Sequence, residues 1–278
     1  MKNFKVGIQL YSVREELAKD FEGTLKKVAD AGYQYVEFAG FFKRSAEEIK
    51  GILEKYGLTA ISVHQAMDGF NTPEKMQSFL HYAKTLTLKF VVIPWMNKEV
   101  FYDKDAYAQF VQSVKDAGEI FAKNGITLCY HNHDFEFEKI NGKYILDRLY
   151  EDVPEEFLKT QLDLCWVKYG GESPVNYIKK YAKRSGIIHF KDFYASKTKE
   201  QVYALIDEKG VAQGDDKKAT DFKFMPLGQG LQNWEEIIRA LEESDVEYVV
   251  YEKDQWYDGD PIEDARQSRA YLKNTFGL

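Results

Sequence analysis

The sequence predicts an α/β fold, a single (β/α)8 barrel of the TIM type. Three observations carry that expectation. Helix-like stretches end on a glycine and run at once into a short apolar segment. About eight such segments fit within the 278 residues. The G-x-G-x-x-G turn of the competing doubly wound sheet does not follow the first strand.

The strand candidates, in order, are 4–10, 33–38, 58–64, 89–94, 126–131, 160–166, 186–191 and 246–252. Most are apolar throughout or half-polar, as parallel strands covered by helices are. Helix candidates close at Gly32, Gly57, Gly125 and Gly186, each suited to the left-handed position just past a helix. Helix starts are marked as well. Ser45 with Glu48 makes a capping box, and Thr72-Pro73 and Ser173-Pro174 read as an N-cap followed by proline. Leu17, Phe21, Leu25 and Val28 recur close to the helical period. The one long departure is 193–233, between strands seven and eight, expected to be a loop forming a lid or rim. No linker or low-complexity stretch divides the chain, so residues 1–278 are expected to form one domain.

Hydrophobic residues make up 44% and aromatics 15%, enough for a large core. A net charge of −7 argues against a nucleic-acid partner, which needs a basic face. No apolar run approaches the roughly 20 residues of a membrane span, and the first residues run straight into strand-like sequence without a signal-peptide core. Cys129 and Cys165 sit inside apolar runs. Buried thiols in a reducing, cytoplasmic setting are expected.

Chemistry in such a barrel sits where the strands end. Gln9, Glu37, His64 and Trp95 close strands one to four; His131 and His133, in "YHNHDFEF", close strand five. Asp163 closes strand six, His189, Lys191 and Asp192 strand seven, and Glu252 strand eight. Four of the five histidines lie at such ends; His81 falls in a helix pattern and reads as structural. Asp163, His189 and Glu252 are embedded in apolar strands, where an isolated carboxylate costs several kcal/mol. Converging at one mouth, they suit a divalent cation of the Mn, Co, Zn or Fe kind. The competing reading is that each caps a loop or pairs with Lys191 or Arg184.

Taken in order, "GIQLYSVR", "GYQYVEFAG", "YHNHDFEF", "LDLCWVKYGGESP", "IIHFKDF", "PLGQG" and "YVVYEKD" resemble the xylose-isomerase-like barrel superfamily. This is the sugar phosphate isomerase/epimerase group that also contains endonuclease IV. The resemblance implies one divalent metal (Mn, Co, Zn, Fe or Mg) held by one residue from each of strands five to eight. Carried over, those are His131, Asp163, His189 and Glu252. Most members place a glutamate at strand five, so His131 is a departure. Glu136 is the alternative ligand, and a role for His131 in orienting a ligating carboxylate is the competing one.

The resemblance implies an isomerase or epimerase of carbohydrate metabolism, working through an enediolate on a keto- or aldo-sugar. Glu252, His133, Glu136 and Lys191 are the candidate catalytic groups. Glu37, His64, Trp95 and Trp166 are expected to bind substrate; Gln9, Arg14, Phe38 and Lys168 are weaker candidates. A lyase or dehydratase acting on a keto-inositol or 3-keto-sugar competes, because an imidazolium on strand five can protonate a departing oxygen. A non-catalytic sugar-binding barrel is the third reading. Beyond "LGQG" at 227–230 no glycine-rich phosphate cradle is evident, so an unphosphorylated sugar is expected. The expected partner is a small sugar or sugar derivative, with no nucleic acid and no membrane; a homodimer is the oligomer the resemblance suggests.

Overall fold

A computed structural model describes residues 2–196, 221–257 and 259–278. Eight parallel strands close into a barrel: β1 (Lys5–Gln9), β2 (Tyr35–Ala39), β3 (Thr59–His64), β4 (Phe90–Ile93), β5 (Thr127–His131), β8 (Lys159–Asp163), β9 (Ser185–Phe190) and β12 (Tyr248–Tyr251). Helices run between them, and β1 pairs with both β2 and β12, which shuts the ring. The (β/α)8 expectation is met.

Alternation along the strands sorts the barrel interior into layers. Tyr35, Phe90 and Tyr248 pack with Ile61, Val92, Cys129, Ile187 and Val250 into one apolar cluster. Two residues further along each strand the inward positions turn polar: Glu37 follows Tyr35, His131 follows Cys129, His189 follows Ile187 and Glu252 follows Val250. The larger cluster lies between barrel and helices and includes Ile8, Val36, Val63, Val91, Leu128, Leu162, Ile188 and Val249.

Several elements depart from the sequence expectation. Strand six ends at Asp163, and Leu164–Tyr169 is a helix instead of the strand's second half. Asp163 itself makes the switch, its Oδ1 accepting from the N–H groups of Cys165 (2.9 Å) and Trp166 (3.3 Å). Leu164–Val167 is buried throughout, so periodicity could not separate strand from helix. Gly186 does not end a helix but lies inside β9, where a Cβ would come within 3.0 Å of the Phe90 ring. Gly32, Gly57 and Gly125 do take the left-handed conformation. Residues 197–220 of the expected rim loop lie outside the described residues. Its base is not loop but an antiparallel ladder of β10 (Asp192–Tyr194) with β11 (Lys223–Met225). A second small hairpin, β6 (Lys139–Ile140) with β7 (Lys143–Tyr144), turns on Asn141-Gly142 and went unread in the sequence. No helix among the described residues is long and apolar enough to cross a membrane. Both cysteines are buried and free, as expected.

Candidate metal centre and active site

The polar layer at the strand ends is one connected network. His131, Asp163, His189 and Glu252 each present a donor atom within 4.8 Å of the others, all buried. His189 Nδ1 lies 2.9 Å from Glu252 Oε2, and His131 Nε2 lies 3.6 Å from Asp163 Oδ2. Asn132 locks the end of β5 to that of β8: its Oδ1 accepts from Asp163 N (3.0 Å) and its Nδ2 donates to Asp163 O (3.3 Å).

These residues fit a divalent cation. Metal bonds of about 2.1 Å place neighbouring ligand atoms roughly 3.0–3.4 Å apart, close to both spacings. Asp163 Oδ2 is buried without an aligned hydrogen bond, although the Lys191 ammonium stands 2.8 Å away. The other ring nitrogen of His189, Nε2, is 2.6 Å from Glu37 Oε1. A carboxylate behind a ligating imidazole fixes its tautomer and orientation. Two imidazoles and two carboxylates suit Mn, Co, Zn, Fe or Mg better than calcium.

Glu37 was expected to meet a sugar hydroxyl; the structure instead buries it beneath the site. Its carboxylate accepts from Gln9 Nε2 (2.8 Å), Ser62 Oγ (2.5 Å) and Gln161 Nε2 (2.6 Å), with His64 Nε2 3.0 Å from Oε1. Burial works to raise its pKa, but the charges of His64 and His189 outweigh it and hold the carboxyl below the ordinary carboxylate range. Burial lowers His189 while Glu37 and Glu252 raise it, and the raising wins, to about 10. Gln161, missed in the sequence, joins Glu37 to both His64 (2.7 Å) and His131 (3.0 Å) through its Oε1. Its parity with Asp163, two residues on, was the available signal.

Lys191 lies 2.8 Å from Asp163, 2.8 Å from Glu252 and 3.0 Å from Asp254, with its ammonium over the rings of Trp166 and Phe224. Burial opposes its charge, but Asp163, Asp254 and Glu252 prevail and its pKa stands well above the usual lysine value. For Glu252, burial is outweighed by Lys191 and His189, which hold it well below the ordinary range. Asp254, also missed, repeats the two-residue spacing after Glu252; burial pushes it up to about 6.

The remaining expected residues divide. His133 is 9% exposed, and burial followed by the Lys191 charge lowers its pKa well below the usual imidazole value. Its resting form is therefore the neutral imidazole and not an imidazolium. His64 lies in the network, its ring stacked 5.2 Å from that of His189. Trp95 is half-buried on the loop after β4. Trp166 is no open wall: it is fully buried, stacked 5.7 Å from Phe222. Glu136 does not join the quartet, because its oxygens accept from Tyr130 Oη (2.7 Å) and His133 N (2.7 Å). Burial pushes its pKa up to about 8.

Fold and site together define a TIM barrel with a charged, metal-competent centre at its C-terminal mouth. A sequence profile of the xylose isomerase-like TIM barrel family matches residues 25–275, and the chain belongs to that family. An inosose dehydratase of Mesomycoplasma hyopneumoniae (strain 7448) is 26% identical over 300 residues, spanning 99% of this chain and 97% of the relative. A sugar phosphate isomerase/epimerase from Parabacteroides distasonis superposes with a TM-score of 0.77 at 21% identity, over 99% of this chain and 96% of that one. The probable 3-DHS dehydratase AsbF of Bacillus anthracis superposes at 0.73 with 17% identity, over 99% and 100%.

Proposed function

We propose that the chain is a divalent-metal-dependent enzyme that removes the proton beside a ketone in a sugar or cyclitol and then eliminates water. The observation that carries this reading is the buried quartet of His131, Asp163, His189 and Glu252 beside the neutral His133. A cation held there supplies Lewis-acid polarisation of the substrate carbonyl. The positive charge of Lys191 stabilises the oxygen of the enediolate as it develops. His133 accepts the α-proton and hands it to the hydroxyl leaving the β-carbon. The C–H electrons become the new double bond, and a β-hydroxy ketone yields an enone and water. His64 and Trp95 border the substrate.

Elimination is preferred over epimerisation because, among the described residues, His133 is the imidazole beside the quartet that burial holds neutral. Glu252 is a weak acceptor, held low by Lys191 and His189 after they outweigh burial. Glu136 is bound to Tyr130 and His133. Epimerisation needs proton transfer on both faces; elimination by a single base does not. The inosose dehydratase relative, spanning nearly the whole chain, supports the same choice. Isomerisation is the second reading, favoured by the same single base, which can return its proton to the neighbouring carbon.

The test is incubation of the metal-loaded protein with keto-inositols and keto-sugars in heavy water. Loss of water with an enone product supports the dehydratase; an isomer of unchanged mass apart from deuterium supports the isomerase. No exchange and no product, with about one metal ion bound per chain, sinks both.

A further inference from the structure

TIM barrels commonly hold a phosphate group in the loops after strands seven and eight. This chain has a glycine-rich turn in that region, Leu227–Gly230, and the turn already holds an anion. Gly228 N and Gly230 N donate to Asp192 Oδ2 at 3.0 and 3.2 Å, and Gln232 N donates to Oδ1 at 3.2 Å. Phe193 N (2.9 Å) and Trp234 Nε1 (2.9 Å) complete the set. The carboxylate is 1% exposed. Converging backbone N–H groups make a nest of the kind that binds phosphate.

The glycines are shaped around that carboxylate. Gly228 has φ +83°, and a Cβ on Gly230 would fall 2.1 Å from Asp192 Oδ1 and 2.5 Å from Phe193 O. In a dinucleotide fold a glycine lets backbone approach a pyrophosphate; here it lets backbone approach a side chain. The intervening N–H groups are engaged too: Leu227 with Ser268 Oγ, Gln229 with Pro226 O and Leu231 with Phe193 O. The cations described around the mouth are likewise occupied. Lys168 donates to Leu231 O, Arg14 to Tyr11 O and Asp254 O, Lys253 pairs with Asp264, and Lys191 faces three carboxylates.

We propose that Asp192 is a built-in anion filling the phosphate station of this barrel, so the substrate is an unphosphorylated keto-sugar or keto-cyclitol. This rests on the proposed function for the kind of substrate, but the filled station stands on its own geometry.

The test uses the full chain, without turnover and without metal. Calorimetric titration of the wild type with inorganic phosphate should show no binding at millimolar concentration, and its melting temperature should not move. Asp192→Gly leaves the N–H cluster without its acceptor and should melt several degrees lower. Formate, which reproduces the lost carboxylate, should restore much of that loss, and phosphate should bind at least about tenfold more tightly than to wild type. Should that variant fail to fold, Asp192→Asn serves. Its amide fills the same space but turns N–H against the Oδ2 donors, so it should melt lower and gain nothing from formate or phosphate. Phosphate binding to the wild type, or rescue of Asp192→Asn equal to that of Asp192→Gly, overturns the proposal. Absence of metal or of enone product sinks the proposed reaction and leaves these readouts unchanged.

Discussion

Two buried carboxylates, Glu37 on β2 and Asp192 just after β9, are satisfied in opposite ways. Glu37 is surrounded by side chains: Gln9, Ser62, His64, Gln161 and His189 all turn their polar atoms towards it. Asp192 is held mostly by main chain, with N–H groups of Phe193, Gly228, Gly230 and Gln232 and a single indole, Trp234. A carboxylate held by titratable side chains tunes their charge and direction. One held by backbone fixes the path of a loop. The first arrangement serves chemistry and the second serves shape.

Replacing a member of the quartet is expected to have the largest effect. His189→Ala should abolish metal retention in elemental analysis and lower turnover by about 10³-fold or more, since the Lewis acid goes with it. Next is Lys191→Met, which leaves Asp163, Glu252 and Asp254 without their shared ammonium. The metal-free variant should lose roughly 3–5 kcal/mol in denaturant titration. A divalent cation should then raise its melting temperature more than it raises the wild type's, because the ion replaces the missing charge.

The comparison itself is tested by a pair of amides. Glu37→Gln should weaken metal binding about 10–100-fold, as loss of a carboxylate behind a ligating imidazole does. Asp192→Asn should cost roughly 1–3 kcal/mol of stability and leave metal affinity alone. If metal titration and melting give the reverse pattern, the division between chemistry and shape fails.

The remaining effect is a pH dependence at Glu136, buried and pushed from 4.5 to about 8. The folded state holds this proton more tightly than the unfolded chain. Its contribution is therefore fully present below pH 4.5 and lost as pH rises towards about 8. Glu136→Gln should remove a slope of up to about 1.4 kcal/mol per pH unit across that window, read from denaturant midpoints against pH.

Three of the quartet were legible as polar groups at strand ends, and the family resemblance supplied the fourth. Asp163, His189 and Glu252 are embedded in apolar strands, and His131 follows from the resemblance, with Glu136 as its alternative. What such placement does not give is the partner. Glu37 meets Gln161 and His189 across 124 and 152 residues of chain, contacts created only by barrel closure, so its place beneath the site could not be read. Gly186 misled for a related reason. The glycine after a helix and the glycine beside a large ring look alike until Phe90 is in place. Trp166 reads as a substrate-binding residue in the sequence because nothing local announces that Phe222 covers it.

The pairing of β1 with β12 is the contact that shuts the ring. Until Tyr248–Tyr251 docks, β1 and β9 each present an open edge, the kind of surface that recruits other chains. The same docking delivers Glu252, which directly follows that strand. With that strand undocked, both edges are open and the quartet is one carboxylate short. Long-range closure of this kind is slow, and an ion held by all four side chains would require the ring to be shut.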